Sequence, residues 1–274
     1  MRRYRVILGA ILMCCMSVGV FCSNGIAEYA PWDCTECGRK EITKNYCGSC
    51  GYPGPWIREA AEKPLREDFE KKGNIVKFGH YEQDNNLDNG SEEIEWIVLD
   101  VQEGKSLLLS KYGLDAKPYN TSLSNVTWET CTLRSWLNND FLKMAFTAKE
   151  QSSILITMVD NSERYSGHRS DGGNNTQDQI FLLSSREAFD LYFESNDARM
   201  CAPTDYAKSQ GTYTFNGYKV NGQSAGWWWV RSPGYFQYYA AFVNNEGSFR
   251  SHSVRSDSGC VRPAFWINLE SDIF

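Results

Sequence analysis

The sequence predicts an α+β protein: a large domain of mixed and antiparallel sheets with few helices, behind a small N-terminal zinc ribbon. Three observations carry that prediction. From residue 74 onward, short apolar runs alternate with polar turns, without the strand–helix–strand series that a parallel sheet needs. Only a few stretches repeat apolar residues at the three- and four-residue steps of a helix. Ahead of them stand two Cys-x-x-Cys pairs, each followed by Gly, with nine residues between the pairs. The composition suits a folded chain, since 274 residues that are 42% hydrophobic and 14% aromatic exclude wholesale disorder. With 28 Lys and Arg against 34 Asp and Glu, the formal charge of −6 lacks the basic excess of a nucleic-acid binder, and no nucleic-acid partner is expected.

Residues 1–27 read as a signal peptide. Arg2, Arg3 and Arg5 form a basic start, residues 6–20 are uncharged and apolar, and Gly25 and Ala27 suit signal peptidase, with cleavage after Ala27. The alternative is a retained N-terminal anchor, the one route by which this chain would touch a membrane. A lipoprotein signal fits poorly, because Phe21 precedes Cys22 and Met13 precedes Cys14. The rest of the chain is therefore expected outside the cytoplasm, secreted or at the cell surface.

Residues 30–52 hold Cys34, Cys37, Cys47 and Cys50, with Gly38 and Gly51 after each pair. Two tight turns of this kind aim four thiolates at one tetrahedral Zn²⁺, and each Gly lets the backbone turn its amides toward sulfur. So short a segment has no core of its own, so the metal would supply its folding free energy. Two disulfides are the alternative, which an oxidising compartment favours. Four protein ligands leave no open position, so the zinc is structural. Residues 53–73 follow as a linker, opened by Pro53, Gly54 and Pro55 and then dense in charge, with Pro64 interrupting any helix.

The large domain spans 74–274. Strands are predicted at 75–79, 95–99 and 106–110, the first two joined by a polar tip and the last two by a turn at 102–105. Residues 127–137 read as a helix, with Val126, Cys131, Leu133 or Arg134, Leu137 and Phe141 at helical spacing and Asn125 or Thr127 as its cap. Thr147 is a second cap. A strand at 179–184 and a short helix at 185–193 come next, after a Gly- and Asn-rich loop at 160–178. Trp227, Trp228 and Trp229 load one strand with indoles that demand burial. Residues 240–243 make another strand before a hairpin turn at 244–247, and 260–269 close the domain as a single strand.

Residues 76–83, 94–100, 107–112 and 127–138, the Trp-Val-Arg-Ser-Pro-Gly run at 229–234 and Cys-Val-Arg-Pro-Ala at 260–264 resemble a bacterial family of domains of unknown function, family 6273. The resemblance covers about residues 75–269. It implies a C-type-lectin-like fold related to the formylglycine-generating enzymes. It also raises the expectation that, as in lectin-fold proteins diversified by retroelements, variation concentrates in the C-terminal stretch.

The chemistry of those relatives is missing. Neither Glu-Pro-Asn nor Gln-Pro-Asp, the sugar-binding tripeptides of calcium-dependent lectins, occurs. Asp84, Asn85, Asn86 and Asp88 read as a solvated loop in preference to a calcium site. Beyond the ribbon and leader, Cys131 reads as core, while Cys201 and Cys260 are either a disulfide or thiols. His80, His168 and His252 have no motif that would activate a nucleophile. Binding fits better than catalysis. Tyr235, Phe236, Tyr238, Tyr239, Phe249, Arg250, His252, Arg255 and Asp257 lie in two stretches that fit no core pattern and share the Tyr, Ser and Arg chemistry of antibody loops. They are expected to form one ligand-binding face for a surface protein or glycan. The alternatives are a cysteine-dependent or hydrolytic enzyme and a structural module of the cell envelope.

Overall fold

The computed structural model describes residues 20–23, 26–29, 34, 37–42, 64–162 and 170–274. The chain divides into two compact units, Met1–Glu62 with Leu87–Ser91, and Lys63–Asn86 with Glu92–Phe274. In the small unit the backbone of β1 (Val20–Ser23) pairs antiparallel with β2 (Ile26–Tyr29). The rest of the signal-peptide segment lies outside the described residues. No helix among the described residues is long and apolar enough to cross a membrane.

The large unit begins earlier than its first strand. Helix α1 (Arg66–Phe69) buries Phe69, whose ring meets Phe274 edge-on at 5.0 Å and whose carbonyl accepts the Ser106 hydroxyl at 2.6 Å. The end of the segment read as a linker is thus built into the fold. Strands β3 (Ile75–Tyr81), β4 (Glu92–Gln102) and β5 (Lys105–Ser110) form an antiparallel meander as the sequence predicts. A bulge between Lys77 and His80 contains Gly79 at φ +68, where a Cβ would stand 2.5 Å from the Phe146 ring. Only glycine combines that backbone with so close an approach. Beneath the meander, Trp96 donates to the Phe78 carbonyl at 2.7 Å and packs edge-on against Phe265 at 4.7 Å.

The helical stretch after Thr127 is broken. Thr127 caps a 3₁₀ turn, Trp128–Thr130, through a capping box with Thr130. Cys131 is extended and starts a new helix, α2 (Thr132–Trp136), which widens into a π turn at Leu137–Phe141 and returns to α3 (Leu142–Ala145). Cys131, Leu133, Leu137 and Phe141 are buried, as their spacing predicts. Thr147 caps α4 (Ala148–Ser153), with Glu150 completing the box.

β6 (Asp115–Ala116) lies at one edge of a five-stranded sheet ordered β13-β12-β11-β14-β6. Its other members are β11 (Trp228–Pro233), β12 (Tyr239–Val243), β13 (Phe249–Ser253) and β14 (Cys260–Val261). Two smaller hairpins pair β7 (Thr157–Val159) with β8 (Thr176–Asp178) and β9 (Thr214–Val220) with β10 (Gln223–Gly226). The only parallel pairing among these strands joins β11 to β14, so the architecture is α+β with several sheets and few helices.

Two strand predictions need correction. Residues 180–184 are buried, and the 179–184 stretch is not extended into a ladder; Phe181 makes a single bridge to Ala264. The Leu182 and Leu183 carbonyls go to Arg231 instead, through its side chain and its backbone N–H at 2.8 and 2.9 Å. Residues 260–269 are two strands: β14 in the five-stranded sheet, and β15 (Ala264–Asn268) beside β5 in a four-stranded sheet ordered β15-β5-β4-β3. Arg262 and Pro263 carry the chain between them. Proline has no N–H for a ladder, and Arg262 is buried, with Nε donating to the Ser110 carbonyl at 2.9 Å and its guanidinium 4.9 Å from the Trp228 ring centroid.

Candidate functional site

The nine predicted binding residues fall into two groups. Pairing of β12 with β13 sets Phe242 opposite Arg250 and Ala240 opposite His252. Alternation along β13 then places Arg250 and His252 on one side and Phe249, Ser251 and Ser253 on the other. The rings agree with the register. His252 stacks on Trp227 at 6.0 Å, whereas Phe249 meets Phe189 edge-on at 5.7 Å. The stretch read as loop is an edge strand up to Ser253, followed by a turn that exposes Arg255 and Asp257 around the buried Val254. A single continuous face is therefore not formed.

The first group is the turn between β11 and β12. Tyr235, Phe236 and Tyr238 are 62%, 45% and 37% exposed, large values for such rings. They stay ordered by packing on one another: Phe236 stacks parallel to Tyr238 at 5.3 Å, while Tyr235 and Tyr239 meet Phe236 edge-on at 4.9 and 5.5 Å. The backbone closes the turn, with Gly234 N–H donating to the Tyr239 carbonyl and Tyr239 N–H to that of Phe236, both at 2.8 Å.

At the centre of this turn is a residue the sequence reading passed over. The side chain of Gln237 imitates a peptide unit. Its Oε1 accepts from Asp171 N–H at 2.8 Å, and its Nε2 donates to the Asp171 carbonyl at 2.8 Å and the Val126 carbonyl at 3.0 Å. The Gln237 carbonyl accepts from Val126 N–H, and Ser170 Oγ donates to the Tyr235 carbonyl at 3.1 Å. One amide thus fastens three segments that are remote in sequence. Between them opens a cleft of about 500 Å³ lined by Asn125, Thr127, Glu129, Asp171, Asn174 and Gln237. Asn174 Nδ2 donates to Glu129 Oε2 at 3.1 Å, which orients both, and the amide of Asn125 has no hydrogen bond among the described residues. The cleft is a polar hollow that shares Gln237 with the ring-bearing turn, while the rings themselves do not line it.

The second group joins another aromatic patch. Arg250 pairs with Glu246 at 3.3 Å, and Glu246 accepts from the Tyr218 hydroxyl at 3.0 Å. Tyr213, Phe215 and Tyr218 are all exposed on or beside the β9–β10 hairpin, which sequence patterning did not single out.

The remaining thiols are inert. Cys201 and Cys260 are fully buried and not joined to each other, and burial raises both above the ordinary thiol value, Cys260 well above it. Burial likewise pushes Cys131 up to about 12. A nucleophilic cysteine requires the opposite environment.

Of the four cysteines read as a zinc ribbon, Cys34 and Cys37 are described, while Cys47 and Cys50 lie outside the described residues. The described half has the turn a metal knuckle needs. Gly38 N–H donates to the Cys34 carbonyl at 3.0 Å, Cys34 N–H donates to the Arg39 carbonyl at 2.8 Å, and Gly38 sits at φ +73.

A third grouping lies where β3 leaves the sheet and β4 returns. One carboxylate oxygen from each of Glu82, Asp84 and Glu92 lies within 4.8 Å of the other two. Burial, then the Glu92 and Asp84 carboxylates, push the Glu82 carboxyl up to about 7. The acidic loop seen in the sequence contributes only Asp84, because Glu82 directly follows β3 and Glu92 opens β4.

Residues 103–269 match the family described as Domain of unknown function (DUF6273). The chain belongs to that family. The DUF6273 segment contains the ring-bearing turn, Gln237 and every residue of the cleft, whereas Glu82, Asp84 and Glu92 precede it. No curated protein and no solved structure matches the chain.

Proposed function

We propose that this protein is an exported, non-catalytic binder of glycans, which it holds on the Tyr235–Tyr239 turn and in the cleft that Gln237 clamps beside it. The observation that carries this reading is that one residue, Gln237, belongs both to the turn of exposed, mutually braced rings and to the lining of the polar hollow. Sugar rings present C–H faces that stack on aromatic planes and hydroxyls that need both donors and acceptors. Asn125, Asn174 and Thr127 offer both, Glu129 and Asp171 offer acceptors, and a concave site with few convergent polar groups is the usual form of a small-ligand pocket. Bracing by neighbouring rings lowers the entropy lost when the ligand is gripped. The buried, unactivated thiols supply no argument for a cysteine-dependent enzyme.

The C-type-lectin-like ancestry, export through residues 1–27 and structural Zn²⁺ held by Cys34, Cys37, Cys47 and Cys50 belong to the same proposal, supported by the sequence resemblance and the Gly38 turn. Arg250 is exposed on an edge strand, so the side chain there can change without disturbing the core, as diversification would require.

The test is a glycan array followed by titration calorimetry with the oligosaccharide it selects. Tyr238→Ala and Asn125→Ala are each expected to weaken binding about tenfold, roughly 1.4 kcal/mol, while Arg250→Ala leaves it unchanged. Retention of no glycan, or equal binding by Tyr238→Ala, would overturn the assignment.

A further inference from the structure

We infer that Glu82, Asp84 and Glu92 form a site for a hard divalent cation of calcium size, separate from the glycan cleft and independent of that reading. Opposed ligands across a calcium ion stand about 4.6–5.2 Å apart, twice a Ca–O bond of 2.3–2.6 Å. All three carboxylate oxygens lie within 4.8 Å of one another, inside that outer limit, so they can reach a common ion. The second observation is an orphaned acceptor. Glu82 is 8% exposed, and its Oε2 is buried with no hydrogen-bond partner. A buried carboxylate oxygen without a donor is costly unless something positive meets it.

The other oxygens are already aimed. Asn86 N–H donates to Glu82 Oε1 at 3.0 Å and to Asp84 Oδ1 at 2.7 Å, and Gln83 N–H donates to Glu92 Oε2 at 2.7 Å. These amides fix each carboxylate in the way that outer hydrogen bonds orient metal ligands. Neither Glu82 nor Glu92 has a Lys or Arg ion pair among the described residues, although Glu93 next door pairs with Lys77 at 2.8 Å. The Lys77 ion pair thus goes to Glu93 and not to Glu82 or Glu92. Oxygen-only ligands exclude a preference for soft metals, and water would complete the shell.

Titration calorimetry and thermal unfolding of the full chain, desalted into calcium-free buffer, test the assignment. CaCl₂ is expected to bind with a Kd on the order of 10⁻⁴–10⁻³ M, the range of extracellular modules, and to raise Tm; MgCl₂ should do so less. Glu82→Gln and Glu92→Gln should each abolish both signals. Glu82→Gln should also fold at least as well without calcium, since it removes a buried, unpaired charge. Absence of calcium heat and of any Tm shift at about ten times that Kd, or the same shift in both variants, would overturn the site. Should either variant misfold, Asp84→Asn provides the same reading at an exposed position.

Discussion

Strands β11 and β13 belong to one sheet and are separated only by β12, yet they obey different rules. Every residue of β11 is buried, whereas β13 alternates between half-buried and exposed positions. In β11 a side chain is fixed by what packs on both faces. In β13 the backbone ladder to β12 keeps the strand in place, and half the side chains face outward. The contrast teaches that this sheet separates stability from recognition by distance from its centre, and mutations can probe the division.

The largest effect is expected from Trp228→Ala. Trp228 is fully buried and its indole N–H donates to the Arg199 carbonyl at 3.0 Å, so its loss should cost about 3–5 kcal/mol in urea unfolding. A loss under about 1 kcal/mol would break the comparison at its strongest point. Glu187→Gln comes next. Arg231 of β11 is buried and ion-paired with Glu187, and removing one partner of such a pair should cost about 3 kcal/mol by the same measurement. The intermediate effect is one of pH. Because Glu82 is raised from 4.5 to about 7 in the fold, the folded protein keeps a proton that the unfolded chain has released between those values. The stabilisation is complete below about 4.5 and lost as pH rises through about 7. Metal-free protein should therefore lower its Tm between those limits, and Glu82→Gln should flatten that segment of the profile. The smallest effect is expected for Arg250→Ala, whose exposed ion pair with Glu246 should be worth less than about 0.5 kcal/mol. A larger loss would show that the edge strand also supports the core.

What the sequence revealed follows the same division. The meander β3-β4-β5 and the caps at Thr127 and Thr147 were legible because alternation and capping are local chemistry. Residues 179–184 misled because an apolar run reports burial, while their carbonyls satisfy Arg231, about fifty residues away in the chain. Gln237 was invisible for a related reason: an amide among rings has no pattern, and its role appears only when residues 126 and 171 are beside it. The predicted single face failed at the register of β13, since one step along a strand moves a side chain to the opposite side. The acidic cluster was half seen, as Asp84, because its partners are brought together by hairpin register.

The crossing at Arg262 and Pro263 has a consequence for assembly. Strand β14 is the only bridge between β11 and β6, and β15 is the outer member of the meander, so both sheets are completed by the same short stretch near the end of the chain. While that stretch is still being synthesised, β6 has no neighbour in its sheet and the meander has a bare edge. Such long-range closure is slow. The polypeptide would thus remain loosely organised until residues 260–268 have been made, and both sheets would set together.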